Sequence, residues 1–218
     1  MTKRVAVILS GCGVYDGAEI HESVITLLHL DRHGASYQCM APDIMQRHVI
    51  NHVTGEAVEA EARNVLIESA RIARGDIVDV AKANTSDYDA VILPGGFGAA
   101  KNLSDFAWKG AECVVQPDVL RFVQAMHAAG KPVGLICIAP ALTAHLIGAG
   151  ARCTIGHDAD TAAAINAMGA VHVECPVEEA CVDEKNKLVT TPAYMLAGRI
   201  GQAYEGIGRL VDRVLAMA

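Results

Sequence analysis

The hydrophobic residues of this chain occur in short uninterrupted runs rather than in alternation with polar residues. Five strand-like runs cover residues 5–9, 36–40, 90–93, 133–136 and 188–190, and all but 36–40 are rich in valine, isoleucine and leucine. Strands that are apolar on both faces are typical of parallel sheets covered by helices on both sides. The runs therefore predict buried, mostly parallel strands.

A different periodicity follows the first run and predicts a helix. Asp16 and Glu19 resemble a capping pair at its start, and Gly34 is placed to end it. The pattern assigns to the core an apolar stripe that consists of Ile20, Val24, Leu27 and Leu28. On a helical wheel Glu22 lies about opposite this stripe, which favours a solvated first-turn glutamate.

Further helical patterns separate the remaining strands. One begins at Pro117 and stops at Gly130, and another covers residues 200–215. Residues 63–72 predict a charged helix in an excursion between strands, and residues 183–187 predict a hairpin tip. Strands alternating with helices indicate an α/β doubly wound sandwich with a mostly parallel sheet, and no linker divides residues 1–218, so we expect a single domain.

Composition excludes several classes of function. The 218 residues are 52% hydrophobic, carry a net charge of −7 and contain no basic run, which argues against nucleic acid or a membrane as partner. Residues 132–151 lack charged side chains, but glycines and Pro140 break them into a strand, a turn and a short helix. The seven cysteines form no metal or disulfide spacing, and we expect reduced thiols in a cytoplasmic protein.

The segment GLICIAP, residues 134–140, carries the strongest chemical signal. Its β-branched strand ends in Cys137, followed by small residues and Pro140, which is the layout of a nucleophile elbow. At such a turn the thiol projects above the sheet, near backbone amides that favour the thiolate. The alternative is a buried structural cysteine.

Glycine-rich segments follow two other strands. In PGGFG, the amide of Gly96 is placed to form an oxyanion site together with the amide of Ile138, although a plain tight turn fits the same residues. SGCGVYDG, residues 10–17, has neither the dinucleotide nor the phosphate-loop spacing. We therefore expect no nucleotide and no other cofactor.

Taken together, GCGVYDGAEIHE, PGGFGAAKNL, GLICIAP, TIGHDAD and VTTPAYM resemble the ElbB-type glyoxalase-like proteins. These are similar to the PfpI proteases and the parkinsonism-associated deglycase, within the class I glutamine-amidotransferase-like superfamily. The resemblance implies a flavodoxin-like three-layer sandwich, Cys137 as nucleophile, conversion of glyoxal to glycolate without glutathione, a link to isoprenoid biosynthesis, and a homodimer. It also places on Glu22 a buried carboxyl with a raised pKa that donates a proton to the thiolate.

The histidine of a Cys-His-Glu triad is missing from the matching positions. The HxE pair His172 and Glu174 falls on a predicted edge segment, and Ile138 stands where PfpI-type proteins carry histidine. His157 is the best surviving base, although a surface histidine fits as well. The acidic residues after it fit a helix cap better than metal ligands, and we predict no required metal.

These observations lead to one hypothesis and two alternatives. The leading hypothesis is that the protein is an enzyme, a glyoxalase-type lyase, in which the Cys137 thiolate adds to a small aldehyde such as glyoxal. Without a triad, hydrolysis of glutamine or peptides loses its general base. The alternatives are a non-catalytic binding or regulatory module, and an amidotransferase-like subunit that takes its base from a partner chain.

Overall fold

A computed structural model describes residues 2–218 and confirms the α/β sandwich. Its main sheet has seven strands in the order β3-β2-β1-β4-β5-β9-β8, all parallel except β8, and a small second sheet pairs β6 with β7. The strands are β1 (Arg4–Ile8), β2 (Ser36–Ala41), β3 (Ile77–Asp79), β4 (Ala90–Leu93), β5 (Val133–Ile136), β6 (Arg152–Cys153), β7 (Val171–His172), β8 (Cys181–Asp183) and β9 (Leu188–Thr191).

Helices cover both faces of the sheet. Alternate residues of the central strands point into two separate apolar clusters, one under α1 and α8 and one under α5, which gives three layers. The helices are α1 (Ile20–Arg32), α2 (Val65–Ile72), α3 (Phe97–Lys101), α4 (Phe106–Lys109), α5 (Pro117–Ala128), α6 (Thr143–Leu146), α7 (Ala159–Ala167) and α8 (Ile200–Met217).

The long apolar runs are strands as predicted, and Pro117 is the first residue of α5. The hairpin tip at residues 183–187 is also confirmed, because it joins β8 to its antiparallel neighbour β9. The five predicted runs include none of β3, β6, β7 and β8, each of two or three residues, although the predicted edge segment at His172 coincides with β7. Such short edge segments carry too few side chains to show a periodicity.

The apolar stripe predicted for α1 is wrong at three of its four positions, and Leu27 alone packs against the core. Ile20, Val24 and Leu28 are 43%, 49% and 44% exposed, while Glu22 and Ser23 are completely buried. The hydroxyl of Ser23 donates to the carbonyl oxygen of Glu19 at 2.7 Å, so the helix itself satisfies this buried polar group. The buried face of α1 combines these small or internally bonded side chains with Ile25 and Leu30, whereas Ile20, Val24 and Leu28 lie on the outside.

The start of α1 also differs from the expected capping pair. Glu19 is itself the cap, since its Oε2 accepts from the backbone N–H of Glu22 at 2.7 Å. Asp16 lies in the preceding loop, where its Oδ2 accepts from the N–H of Ile50 at 2.8 Å. The same sequence signal therefore serves two purposes, a helix cap and a tie between two loops.

Within residues 2–218, no helix combines the length and the apolar character needed to cross a bilayer. Residues 132–151 instead form β5, a tight turn and the single-turn helix α6, as the sequence predicted.

Candidate active site

The turn after β5 is a nucleophile elbow with Cys137 at its apex. β5 ends at Ile136, Cys137 has a left-handed φ of 62°, and a 3₁₀ turn over Ala139–Leu142 follows. A non-glycine residue in this conformation stores about 1–3 kcal/mol of strain and persists only where its surroundings hold it. The N–H of Cys137 donates to the carbonyl oxygen of Thr191 at 2.9 Å, which ties the elbow to β9. The elbow predicted from GLICIAP is therefore present.

Glu22 lies directly beside this thiol. Its Oε2 accepts from the N–H of Gly95 at 2.9 Å, its Oε1 accepts from the N–H of Tyr194 at 3.2 Å, and a hydrogen bond joins its carboxyl group to Cys137. Ala193 turns the chain with a φ of 42°, so that the amide of Tyr194 reaches Glu22. Three segments that are distant in sequence thus converge on one buried carboxyl group.

Burial governs the protonation of this pair. Burial raises the pKa of Glu22 to about 8, with a further increase from the charge of Glu19 and a partial decrease from its hydrogen bonds. Burial also raises the pKa of the Cys137 thiol well above its ordinary value, and an ionised Glu22 adds to that increase. Because Glu22 is mostly neutral at pH 7, its charge does not oppose thiolate formation there, and its carboxyl O–H is available to the sulfur.

The amides singled out as oxyanion donors surround the same sulfur. The backbone N–H groups of Gly96 and Ile138 both hydrogen-bond Cys137, and both lower the pKa of its thiol. Both amides therefore lie beside the sulfur atom that a substrate carbon would join. That these amides also stabilise an oxyanion remains a prediction, because in the structure they contact the sulfur atom.

A pocket of about 330 Å³ opens above Cys137. Among the described residues that line it, the charged side chains are the carboxylates of Glu19 and Asp158. The thiol lies at an enclosed surface, since Cys137 is 7% exposed. Most of the remaining lining is apolar and comes from Val14, Phe97, Ala100, Phe106, Ala107, Ile138 and Met195.

The structure places the candidate histidines away from this pocket lining. His157 is exposed and is not part of the lining, whereas its neighbour Asp158 lines the pocket and caps α7 through a 2.9 Å bond from the N–H of Thr161. The helix-cap reading of this acidic segment is thus confirmed. His172 accepts from the N–H of Ile155 at 3.3 Å and serves the small second sheet.

Two site residues escaped the sequence analysis. Tyr194 lines the pocket, bonds Glu22 through its amide, and holds its hydroxyl 2.8 Å from Nδ1 of His21. Glu19 lines the pocket while capping α1. The motif VTTPAYM drew attention to a missing histidine, and the tyrosine that it does contain carried no recognised chemical signal.

Gly95 is required by the close approach of these segments. A Cβ there would lie 2.4 Å from the Cβ of Cys137 and 2.7 Å from Oε2 of Glu22, and the elbow fixes the first of these atoms. We expect Gly95→Ala to lower the free energy of unfolding by about 3 kcal/mol or more, measured by urea denaturation.

Gly134→Ala in β5 is the matched control for this prediction. Its added Cβ would meet the end of the flexible Leu210 side chain at 2.9 Å, so a loss of about 1–2 kcal/mol is expected. Equal losses in the two variants would show that Gly95 is not sterically constrained by the site.

The parallel sheet, the elbow cysteine and the buried glutamate together define a class I glutamine amidotransferase-like domain. The model of the DJ-1/PfpI family matches residues 3–196, and the chain belongs to that family, which includes proteases and deglycases. The human glutamine amidotransferase-like class 1 domain-containing protein 3, mitochondrial, is 52% identical over 98% of this chain and 83% of its own length. The rat ES1 protein homolog, mitochondrial, is 51% identical over 98% of this chain and 84% of its own.

A solved structure extends the similarity to three dimensions. An isoprenoid biosynthesis protein with an amidotransferase-like domain from Ehrlichia chaffeensis is 37% identical, with a TM-score of 0.92 over 99% of both chains. At 19% identity and a TM-score of 0.57, Drosophila melanogaster DJ-1beta shares the fold.

The cytoplasmic localisation expected from the cysteines is wrong by this comparison, because the human and rat relatives are mitochondrial proteins. All seven thiols are free in the structure, as expected. Free thiols report the redox state of a compartment and do not identify which compartment it is.

Proposed function

We propose that this protein is a glyoxalase-like enzyme of the ElbB type that converts glyoxal to glycolate without glutathione. The observation that supports this most is the contact between the buried carboxyl group of Glu22 and Cys137, whose side chain lines the pocket. A carboxyl group with a pKa of about 8 both gives and takes protons near neutral pH, which is what an aldehyde rearrangement needs.

The reaction begins when the sulfur of Cys137 adds to one aldehyde carbon of glyoxal. A C–S bond forms, the thiol proton ends on the aldehyde oxygen, and the amides of Gly96 and Ile138 stabilise the negative charge that develops on that oxygen. The product of this step is a hemithioacetal.

Glu22 then acts as base and acid in turn. Its carboxylate removes the hydrogen from the carbon bonded to sulfur, and the proton returns to the neighbouring carbon, which gives the thioester of glycolate. Water hydrolyses the thioester and restores the thiol. The sum is glyoxal plus water giving glycolic acid, so no external oxidant or reductant is needed.

We propose two further properties. The first is a link to isoprenoid biosynthesis, because the Ehrlichia chaffeensis relative is an isoprenoid biosynthesis protein. The second is a homodimer, which follows from the superfamily resemblance.

A non-catalytic binding module is the second candidate. It is favoured by the raised pKa of the Cys137 thiol, which leaves little thiolate at neutral pH. This hypothesis predicts that ligands fill the pocket without turnover, so an assay of glycolate formation distinguishes it from the enzyme hypothesis.

The test is an assay of glycolate formation from glyoxal in D₂O, followed by NMR. The proposed proton transfer predicts glycolate above the level of heat-denatured protein, with one deuterium on its CH₂ carbon. Glyoxal that persists unchanged would instead support the binding module. Glycolate without deuterium would contradict Glu22 as an exchanging base.

The lining of the pocket predicts a preference for neutral substrates. Glu19 and Asp158 are the charged side chains of the described lining, so an anionic 2-oxoaldehyde meets repulsion while an apolar one packs against Phe97 and Met195. We expect kcat/KM for 4,5-dioxopentanoate to be at least ~10-fold below that for the similarly sized, neutral 2-oxopentanal.

Asp158→Asn is the matched variant for this prediction. Asparagine is as good a helix cap as aspartate, so α7 is preserved while one charge is removed. The variant should narrow the difference in kcat/KM between the two substrates by raising kcat/KM for 4,5-dioxopentanoate alone. Equal kcat/KM values for both substrates in the wild type would contradict the prediction.

A further inference from the structure

A second cluster of metal-ligating side chains lies outside the candidate active site. Cys113 follows the 3₁₀ turn Gly110–Glu112, His145 lies in α6, and Met168 is the residue at which α7 ends. The Sγ atom of Cys113 is 3.4 Å from Nε2 of His145 and 3.9 Å from Sδ of Met168. Three elements that are distant in sequence thus bring one thiol, one imidazole and one thioether together.

These separations agree with the edges of a metal coordination polyhedron. A tetrahedral first-row metal with bonds of about 2.3 Å to sulfur and 2.0 Å to nitrogen separates sulfur from nitrogen by about 3.5 Å, and two sulfurs by about 3.8 Å. The observed 3.4 Å and 3.9 Å differ from these values by about a tenth of an ångström. Both ligands thus lie at coordination distance from the sulfur of Cys113.

The donor set selects a soft, singly charged ion. Thiolate and thioether sulfur bind Cu(I), and imidazole binds copper as well, whereas hard cations prefer oxygen. Cys113 is 4% exposed, so a site of zero net charge, one thiolate and one monovalent ion, avoids a buried excess charge. The nearby Asp105 is compensated by Lys109 at 2.6 Å and adds no net charge.

We propose that Cys113, His145 and Met168 bind one Cu(I) ion. Within residues 2–218, no three histidine, cysteine or acidic side chains are arranged to hold a metal. Here Met168 supplies the third ligand beside Cys113 and His145. His145 and Met168 are half-buried, which gives the ion a path from the surface. The site uses neither Cys137 nor Glu22 and is independent of the proposed function.

Binding exchanges one proton for the ion. The thiol of Cys113 loses its proton as the Cu–S bond forms, and copper remains in the +1 state. Nε2 of His145 also lies 2.9 Å from the carbonyl oxygen of Cys113, so it carries a proton that must move to Nδ1 before Nε2 can bind the metal. Gln124 donates to the carbonyl oxygen of His145 at 2.8 Å and holds the backbone of α6 in place during this change.

The test is competition for Cu(I) against bicinchoninate, whose copper complex is followed by absorbance. The full chain carries Cys137→Ser, so that the elbow thiol does not compete. We expect this protein to remove one equivalent of Cu(I), with X-ray absorption showing two sulfur ligands and one nitrogen ligand.

Variants of the ligands identify the site. Outer-shell mutations already cost about 10–100-fold in metal affinity, so loss of the thiolate in Cys113→Ser should cost more than ~100-fold. Met168→Leu preserves side-chain volume and should weaken binding ~10-fold, which keeps the proposal testable if Cys113→Ser folds poorly.

Cys181→Ser removes another buried thiol and should leave the affinity unchanged. Copper bound equally well without Cys113, or equally weakened by Cys181→Ser, would overturn the proposal. A spectrum with sulfur ligands alone would also overturn it, because His145 would then not be a ligand.

Discussion

Replacing Cys137 by alanine is expected to reduce glycolate formation from glyoxal to the uncatalysed level, a loss of about 10³-fold or more. Cys137 is the thiol at the elbow, with a carboxyl group and two amides around its sulfur. Within residues 2–218, none of the other six cysteines lines the pocket above Cys137, so none of them is placed to take over its role. The measurement is the initial rate of glycolate production by NMR.

Cys181→Ala provides the matched control for this loss. Cys181 is 8% exposed, close to the 7% of Cys137, so both variants remove a thiol of similar burial. Cys181→Ala should keep the wild-type rate, and circular dichroism shows whether both variants fold. A Cys137→Ala protein that is folded and still produces glycolate at the wild-type rate would refute the nucleophile assignment.

The elbow was predictable from the sequence because its determinants are local. A β-branched strand, a cysteine, two small or apolar residues and a proline occupy consecutive positions, and local geometry then fixes the turn. The long buried strands were predictable for the same reason. Cys113 and His145 belong to no such local motif. They meet only because the fold brings α6 next to the residue that follows the 3₁₀ turn Gly110–Glu112.

The position of Glu22 was not predictable from helix periodicity. The pattern placed Ile20, Val24 and Leu28 in the core, whereas packing buries Glu22 and the small residues beside it. The resemblance to known proteins pointed to Glu22 because it reflects a functional constraint that opposes hydrophobic patterning. A buried carboxyl group is costly, so the helix wheel fails at this functional position for a physical reason.

The partners of Glu22 depend on long-range packing. Gly95 and Tyr194 lie 73 and 172 positions from Glu22 in sequence, and they meet it only after β4 and β9 have paired with their neighbours. The amide of Tyr194 reaches the carboxyl group because Ala193 adopts a left-handed conformation, which no local glycine signals. No pattern within a single element carries this information.

The cost of the buried carboxyl group leads to the second large expected effect, on stability. The pKa of Glu22 is about 8 in the folded protein and 4.5 for an ordinary glutamate, so the folded chain holds a proton that the unfolded chain releases between these values. Stability from the neutral carboxyl group is complete below pH 4.5 and is lost as pH rises through about 8. Each pH unit within this window costs about 1.4 kcal/mol.

Glu22→Gln removes this titration while keeping the shape of the side chain. The amide oxygen still accepts one of the two backbone N–H groups, and the loss of the other costs the same at every pH. From pH 5 to pH 9, we therefore expect the wild type to lose about 4 kcal/mol of unfolding free energy relative to the variant. Urea denaturation at pH 5, 7 and 9 gives this difference directly.

Glu68→Gln is the control that separates titration from the loss of a buried carboxylate. Glu68 is 6% exposed, but its carboxylate is 2.8 Å from Nε of Arg71, so its charge is compensated. This variant should have a lower free energy of unfolding than the wild type, and the difference between the two should not shrink as pH rises toward 8. If Glu22→Gln differs from the wild type by the same free energy at all three pH values, Glu22 does not enter the folded protein as a neutral acid, and its assignment as proton donor to Cys137 fails with it.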